Sequence, residues 1–304
     1  MRRIVTSLVS LAAAGVLLAL ARPQPEPETT SGQDGRLAGP VGSFGENPAW
    51  DDGKAELSRY AAEELVEGEK RSFEAWSIVV AEHFDPKQMV KKDGFDLAFV
   101  PVLKCNWFLR IPTGVYAYQQ MASLFLRRSD LLVQKAAFSS QEWCGQTFAE
   151  WRRDQPGFIT RSYWDGEADA THELPDLAPD TLFYEQVPLW VRGRRPERVR
   201  SEPIVLIAKR LGTSHCPPPK LVPATLNFDG VKGDGAEKRI EARLAFDGKE
   251  ELFVLAPEFP FTLREWLRAD GTLWKLLSSE RLDYWKFSKN EFAGKLEPKP
   301  DAKK

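Results

Sequence analysis

Cys144, set in the run Gln141, Glu142, Trp143, Cys144 and Gly145, comes closer to a catalytic nucleophile than any other residue of this chain. A thiol attacks as the thiolate, so it needs a neighbouring base or a positive field that lowers its pKa. The residues beside Cys144 supply neither, and the order departs from the cysteine-protease signature, in which the nucleophile precedes the tryptophan. A general base would have to come from one of three histidines, His83, His172 or His215. His83 follows an apolar run at 78–82 and reads as the wet end of a strand. His172 lies among Asp165, Glu167, Asp169 and Glu173, whose oxygens suit a hard cation but in an order that matches no EF-hand loop. His215 and Cys216 precede three prolines and offer one nitrogen and one sulfur, short of the four ligands of a closed zinc site. Phosphate-binding glycine loops, dinucleotide fingerprints, Gly-x-Ser-x-Gly elbows and His-Glu-x-x-His pairs are absent from the sequence. No cofactor and no metal is implied. Two catalytic alternatives stay open, a hydrolase using Cys144 and one using the acidic cluster near Asp165, each with a histidine brought close by folding.

The elements that would position these groups are mostly strands. Leu103, Cys105, Trp107, Leu109 and Ile111 are apolar at spacing two, while Lys104, Asn106 and Arg110 alternate with them, the pattern of a half-buried strand. Ile240, Ala242, Leu244 and Phe246 repeat it, and Asp247 with Gly248 then turns the chain into 252–255. Asp-Gly pairs recur at Asp52, Asp93, Asp165, Asp229, Asp234, Asp247 and Asp270, a dipeptide suited to the positive φ of tight hairpins. Further strands are predicted at 73–82, 120–127, 136–151, 158–164, 204–210, 263–268 and 273–285. Residues 58–67 read as either helix or strand, since their local helical preference competes with sheet context. One helix is predicted, starting at Asp180 or Thr181 and ending near Pro188 or Trp190. The fold class is therefore mainly β: a curved antiparallel sheet, half-barrel or barrel, of about ten strands with one or two short helices.

The chain has 304 residues, 42% of them apolar, enough for a real core. Arg2 and Arg3, the apolar run 4–20 and the small residues Ala19 and Ala21 read as an export signal over 1–21. An uncleaved segment of that length sits at the lower edge of what spans a bilayer, and would be the chain's only membrane attachment. No cysteine follows the run, so a lipoprotein anchor is not expected, and localisation is expected to be periplasmic or extracellular. Without Arg2 and Arg3 the balance is 40 basic against 44 acidic residues, which gives no electrostatic footprint for nucleic acid. Residues 22–48 are rich in proline and glycine and read as a flexible tether. All ten tryptophans lie at or beyond Trp50, so a β-rich domain is assigned to 49–290, with 291–304 as a disordered tail. Three cysteines permit at most one internal disulfide, and Cys105 with Cys144 is the cross-strand pair considered.

Three stretches carry a resemblance: Trp50, Asp52, Gly53, Lys54, Ala55 and Glu56; Thr113, Gly114, Tyr116, Tyr118 and Met121; and Gln141, Glu142, Trp143, Cys144 and Gly145. Together they resemble an exported bacterial family of unknown function, some members of which bear the label Maf-type septum formation inhibitor. Maf proteins are cytoplasmic nucleotide pyrophosphatases with a Ser-x-Ser-Pro-Arg-Arg motif, which this chain lacks. The later layout, with Pro223, Ala224 and Thr225 before a strand and Phe259, Pro260 and Phe261 after the Asp247 hairpin, is similar to LolA-like half-barrel envelope proteins. That similarity implies a curved sheet around a ligand cup, with the segment from Asp180 as its lid. The ligand-binding residues expected on this basis are Thr113, Tyr116, Tyr118, Met121, Gln141, Glu142, Trp143 and Cys144. The leading expectation is a non-enzymatic exported protein that binds a hydrophobic, lipid-like molecule or an envelope partner protein.

Overall fold

A computed structural model describes residues 42–174 and 177–294. The expected export signal and most of the tether lie outside the described residues, as does the end of the tail. The described chain is mainly β, a single curved and unclosed sheet of sixteen strands rather than about ten. Strands β1 (Ala55–Val66), β2 (Glu69–Asp85), β3 (Val90–Lys92), β4 (Val100–Pro112), β5 (Ala117–Arg127), β6 (Val133–Glu142), β7 (Gly145–Arg152), β8 (Gln155–Arg161) and β9 (Ala170–His172) form a first meander. The second comprises β10 (Thr181–Phe183), β11 (Arg200–Ile207), β12 (Leu221–Lys232), β13 (Arg239–Phe246), β14 (Lys249–Leu255), β15 (Leu263–Leu267) and β16 (Leu273–Leu282). Antiparallel pairing of β16 with β1 joins the two, so the sheet runs from β10 through β16 and β1 to β9, with β3 hanging on β2. Its two ends, β9 and β10, are three residues each. Such short edges offer little unpaired backbone to other chains.

The alternating segments bury the face that their spacing marks as apolar, although Asn106 of β4 and Glu241 of β13, on the other face, are buried as well. Leu103, Cys105, Trp107, Leu109 and Ile111 of β4 are all buried, as are Ile240, Ala242 and Leu244 of β13. Residues 58–66 fall in strand β1 and Glu67 in the turn that follows: ladder bonds to β2 along 56–66, and to β16 as far as Ala61, replace the bonds a helix would have made internally. The predicted strand 136–151 is two strands folded back at Trp143 and Cys144, a turn without glycine at its centre; only Gly145, the first residue of β7, marks it. Asp247 and Gly248 both have positive φ, 48° and 69°, as a two-residue hairpin demands. Asp229 and Gly230 do not turn the chain: they form a bulge inside β12, where the register to β13 slips between Phe228 and Gly230.

The predicted helix is shifted. Thr181–Phe183 is strand β10, parallel to Val205–Ile207 of β11, followed by a short 3-10 turn and the helix Val187–Gly193. Every residue of that helix is buried, including Trp190, Val191 and Arg192, so it packs inside the core and is no lid. A helix with every residue buried has no solvent face, and its one charge, Arg192, must find its partner inside. Trp107 Nε1 donates to the Glu185 carbonyl at 3.0 Å, Gln186 Nε2 to the Leu131 carbonyl at 2.9 Å, and Arg192 Nη2 to Glu56 at 2.7 Å. These bonds tie the central segment to β1, β4 and the β5–β6 turn. The loop after β11 is held similarly: Gly212 N–H donates to Gln120 Oε1 at 2.7 Å, and Gln120 Nε2 to the Thr213 carbonyl at 2.9 Å. Residues 42–48, assigned by sequence to the tether, include a helical turn at Gly42–Gly45 whose Phe44 is buried against Trp50 and Phe259.

Candidate functional site

The hairpin turns at one end of the first meander gather most of the residues singled out by sequence. Tyr116, before β5, stacks on Trp143 of the β6–β7 turn, with ring centroids 5.7 Å apart and planes 25° apart, and touches Tyr118 at 5.8 Å. Tyr118 donates to Glu67 of the β1–β2 turn at 2.6 Å; burial first, and then this carboxylate, push its phenol pKa up. Thr113 closes its own turn by bonding the Tyr116 carbonyl at 3.0 Å. Glu142 accepts from Tyr163, whose ring lies over Gly145 so closely that a Cβ there would stand 2.6 Å from it. Gln141 pairs in register with Gln119. Met121 sits lower, opposite Phe108 and Ser139, and does not join the group. Trp143 is 78% exposed, so the cluster is a surface ledge of turns rather than the wall of a cup.

Cys144 is exposed at the tip of this ledge, and each histidine is engaged elsewhere. His215 pairs with Glu167 at 2.8 Å and stacks on Trp164, His172 bonds Thr160 at 3.0 Å, and His83 bonds the Gly94 carbonyl at 2.8 Å. All three cysteines are free. The position level with Cys105, reached through Leu124, is Ala136, six residues along β6 from Glu142. That is roughly 20 Å of strand, against a Cα separation of about 7 Å at most for a disulfide. Within the acidic stretch, Glu167 anchors the loop after β8: burial pushes its carboxyl up, but bonds from Ser162, the Cys216 N–H and His215 outweigh this and hold it below the usual range.

None of the eight expected ligand residues lines a cleft of about 650 Å³ at the end of the sheet where β1 begins and β16 finishes. Trp50, Phe259, Pro260, Ala256 and Leu276 give it an apolar wall. Trp50 is fixed by its Nε1 bond to the Phe44 carbonyl at 2.8 Å and by edge contact with Phe259 at 6.1 Å. Arg281 lies 5.0 Å over the Trp50 ring and grips Asp52, which this guanidinium holds below the ordinary carboxylate range. In the depth of the cleft, Glu56 is neutralised by Arg192 at 2.7 Å, both side chains almost fully buried. Arg264, Thr262, Ser279 and Glu280 complete the polar part of the lining. The cleft can therefore take an apolar body against aromatic rings while its own charges are largely paired. Its signal in the sequence was the Phe259, Pro260 and Phe261 loop together with Trp50 at the start of the tryptophan-rich region. Comparison with protein families, with curated proteins and with solved structures finds no match to the chain.

Proposed function

We propose that this chain is an exported binding protein that holds a hydrophobic, lipid-like molecule in the cleft bounded by Trp50, Phe259, Pro260 and Leu276. The observation that supports the reading is the cleft itself. Its volume of about 650 Å³ lies within the usual range for small-molecule sites, and such sites are mostly apolar with a few placed polar groups. The apolar body of the ligand lies on the aromatic wall and its polar end meets Arg264 and Glu280 at the rim. Because Glu56 with Arg192 and Asp52 with Arg281 are already paired, a ligand of low charge fits without leaving an ion uncompensated. Export rests on the leader at 1–21; among the described residues no helix is long and apolar enough to cross a membrane.

The test uses the full chain and the uncharged fluorescent probe N-phenyl-1-naphthylamine, together with mass spectrometry of solvent extracts from protein purified from its native host. The half-buried Ala256 lines the cleft, and Ala256→Trp fills it. Saturable probe binding that falls by about tenfold or more in the variant, at unchanged thermal stability, supports the reading. Equal binding by the variant, or neither probe uptake nor a co-purifying apolar molecule, overturns it.

A further inference from the structure

A second cavity, of about 340 Å³, opens at the opposite end of the β11–β16 half, and it shares no lining residue with the cleft. Leu206, Val222, Phe246 and the ring of Tyr184 give it an apolar part. Four cationic side chains also line it, Lys209, Lys220, Lys249 and Arg268, beside the acids Asp247, Glu251 and Asp270. The geometry points to this cavity as a binding site for a small organic carboxylate with a short apolar body.

Hydrogen-bond supply carries the argument. The acids are already occupied. Glu251, 4% exposed, accepts from Tyr184 Oη at 2.8 and 2.9 Å and from Trp266 Nε1 at 2.9 Å. Asp270 accepts from the N–H and the hydroxyl of Thr272, at 2.9 and 2.6 Å, and Asp247 faces Lys220 at 3.7 Å. The donors are not exhausted. An ammonium has three N–H groups, and among the described residues Lys209 uses one, toward Glu64 at 2.5 Å. Lys249 has no carboxylate partner among the described residues. Arg268 gives Nη1 to Glu64, and among the described residues its buried Nε has no hydrogen-bond partner. An occupant must therefore bring acceptors, and a carboxylate brings the charge as well.

The setting of Lys209 agrees with this. Burial pulls its ammonium pKa down, and the nearby acids Asp270, Glu185 and Glu251 offset only part of that pull. Burial likewise pushes the Glu251 carboxyl up, against the bonds from Tyr184 and Trp266, which favour its charged form. Gly212 makes the Lys209–Glu64 pair possible: a Cβ at that position would stand 2.7 Å from Glu64 Oε2 and 2.8 Å from Lys209 Nζ.

Isothermal titration of the full chain with 1-naphthoate, against the uncharged 1-naphthalenemethanol of similar shape, tests the proposal. Two variants of exposed lining residues, Lys249→Glu and Ala269→Trp, alter the cavity without touching the core. The expected result is that naphthoate binds about tenfold or more tightly than the alcohol, loses affinity in both variants and keeps it in the Ala256→Trp cleft variant. Naphthoate binding no better than the alcohol, unchanged in both variants, lost only when the cleft is filled, or absent altogether, overturns the assignment.

Discussion

Glu64→Gln is a demanding test of how the loop after β11 and the end of β15 are held to β1. Glu64 is fully buried on β1 and bridges two cations from distant parts of the chain, Lys209 in the loop after β11 and Arg268 at the end of β15. Glutamine keeps the volume, but its amide can accept from only one of the two cations and presents N–H groups to the other. Removing one partner of a buried ion pair costs about 3–5 kcal/mol, because the remaining charge stays desolvated. Arg268 is 4% exposed and bears most of that cost, whereas Lys209, 30% exposed, can turn toward its water-accessible cavity. The rings of Trp266, Trp274 and Tyr184 lie 4.3, 5.1 and 5.4 Å from the guanidinium and soften the loss. The lower end, about 3 kcal/mol, is therefore expected. At about 2–4 °C per kcal/mol for a chain of this size, the melting temperature falls by about 6–12 °C. Thermal unfolding followed by circular dichroism measures the fall, and urea unfolding gives the free energy independently. Arg268→Met in the Glu64→Gln background removes the stranded cation, so the double variant is more stable than the sum of the two single losses. A Glu64→Gln loss below about 1 kcal/mol, or strict additivity in the double variant, refutes the reasoning.

The pH response follows from the two carboxyls that burial raises, Glu185 and Glu251. Below about pH 4.3, the value of a glutamate in the unfolded chain, both states hold the proton and the contribution is complete. It is lost as pH rises through the higher folded value. Glu251→Gln removes one of these titrations, so melting temperatures measured from pH 4 to 8 decline less steeply with rising pH in the variant than in the parent; parallel profiles contradict this. Thiol labelling with a disulfide reagent at neutral pH modifies Cys144 alone until the chain unfolds. Cys105 is buried, with its pKa pushed up to about 12, and Cys216 is buried with its Sγ 3.4 Å from the Phe148 carbonyl. Fast modification of a second thiol in the native protein excludes this packing.

Local pattern made the β class of this chain legible. The alternation in β4 and β13, and the positive φ available at Asp247–Gly248, are set by neighbours one or two residues away and needed no tertiary information. Strand number was harder to read, because Trp143 and Cys144 turn the chain without a central glycine, and the three-residue strands β3, β9 and β10 are too short for any period to register. Tyr116, Tyr118 and Trp143 meet in the fold, but their proximity comes from adjacent hairpin turns and produces an exposed ledge.

What the sequence determined by itself was the β class, the alternation of β4 and β13 and the Asp247–Gly248 hairpin, since these depend on local spacing and backbone preference. Only the tertiary structure decided that β16 pairs with β1, that the helix Val187–Gly193 lies inside the curve, and that Glu64 meets Lys209 and Arg268. The physical reason is distance along the chain. Trp50 and Phe259 make one wall, and Lys209 and Glu251 line one cavity, through contacts that no local periodicity encodes.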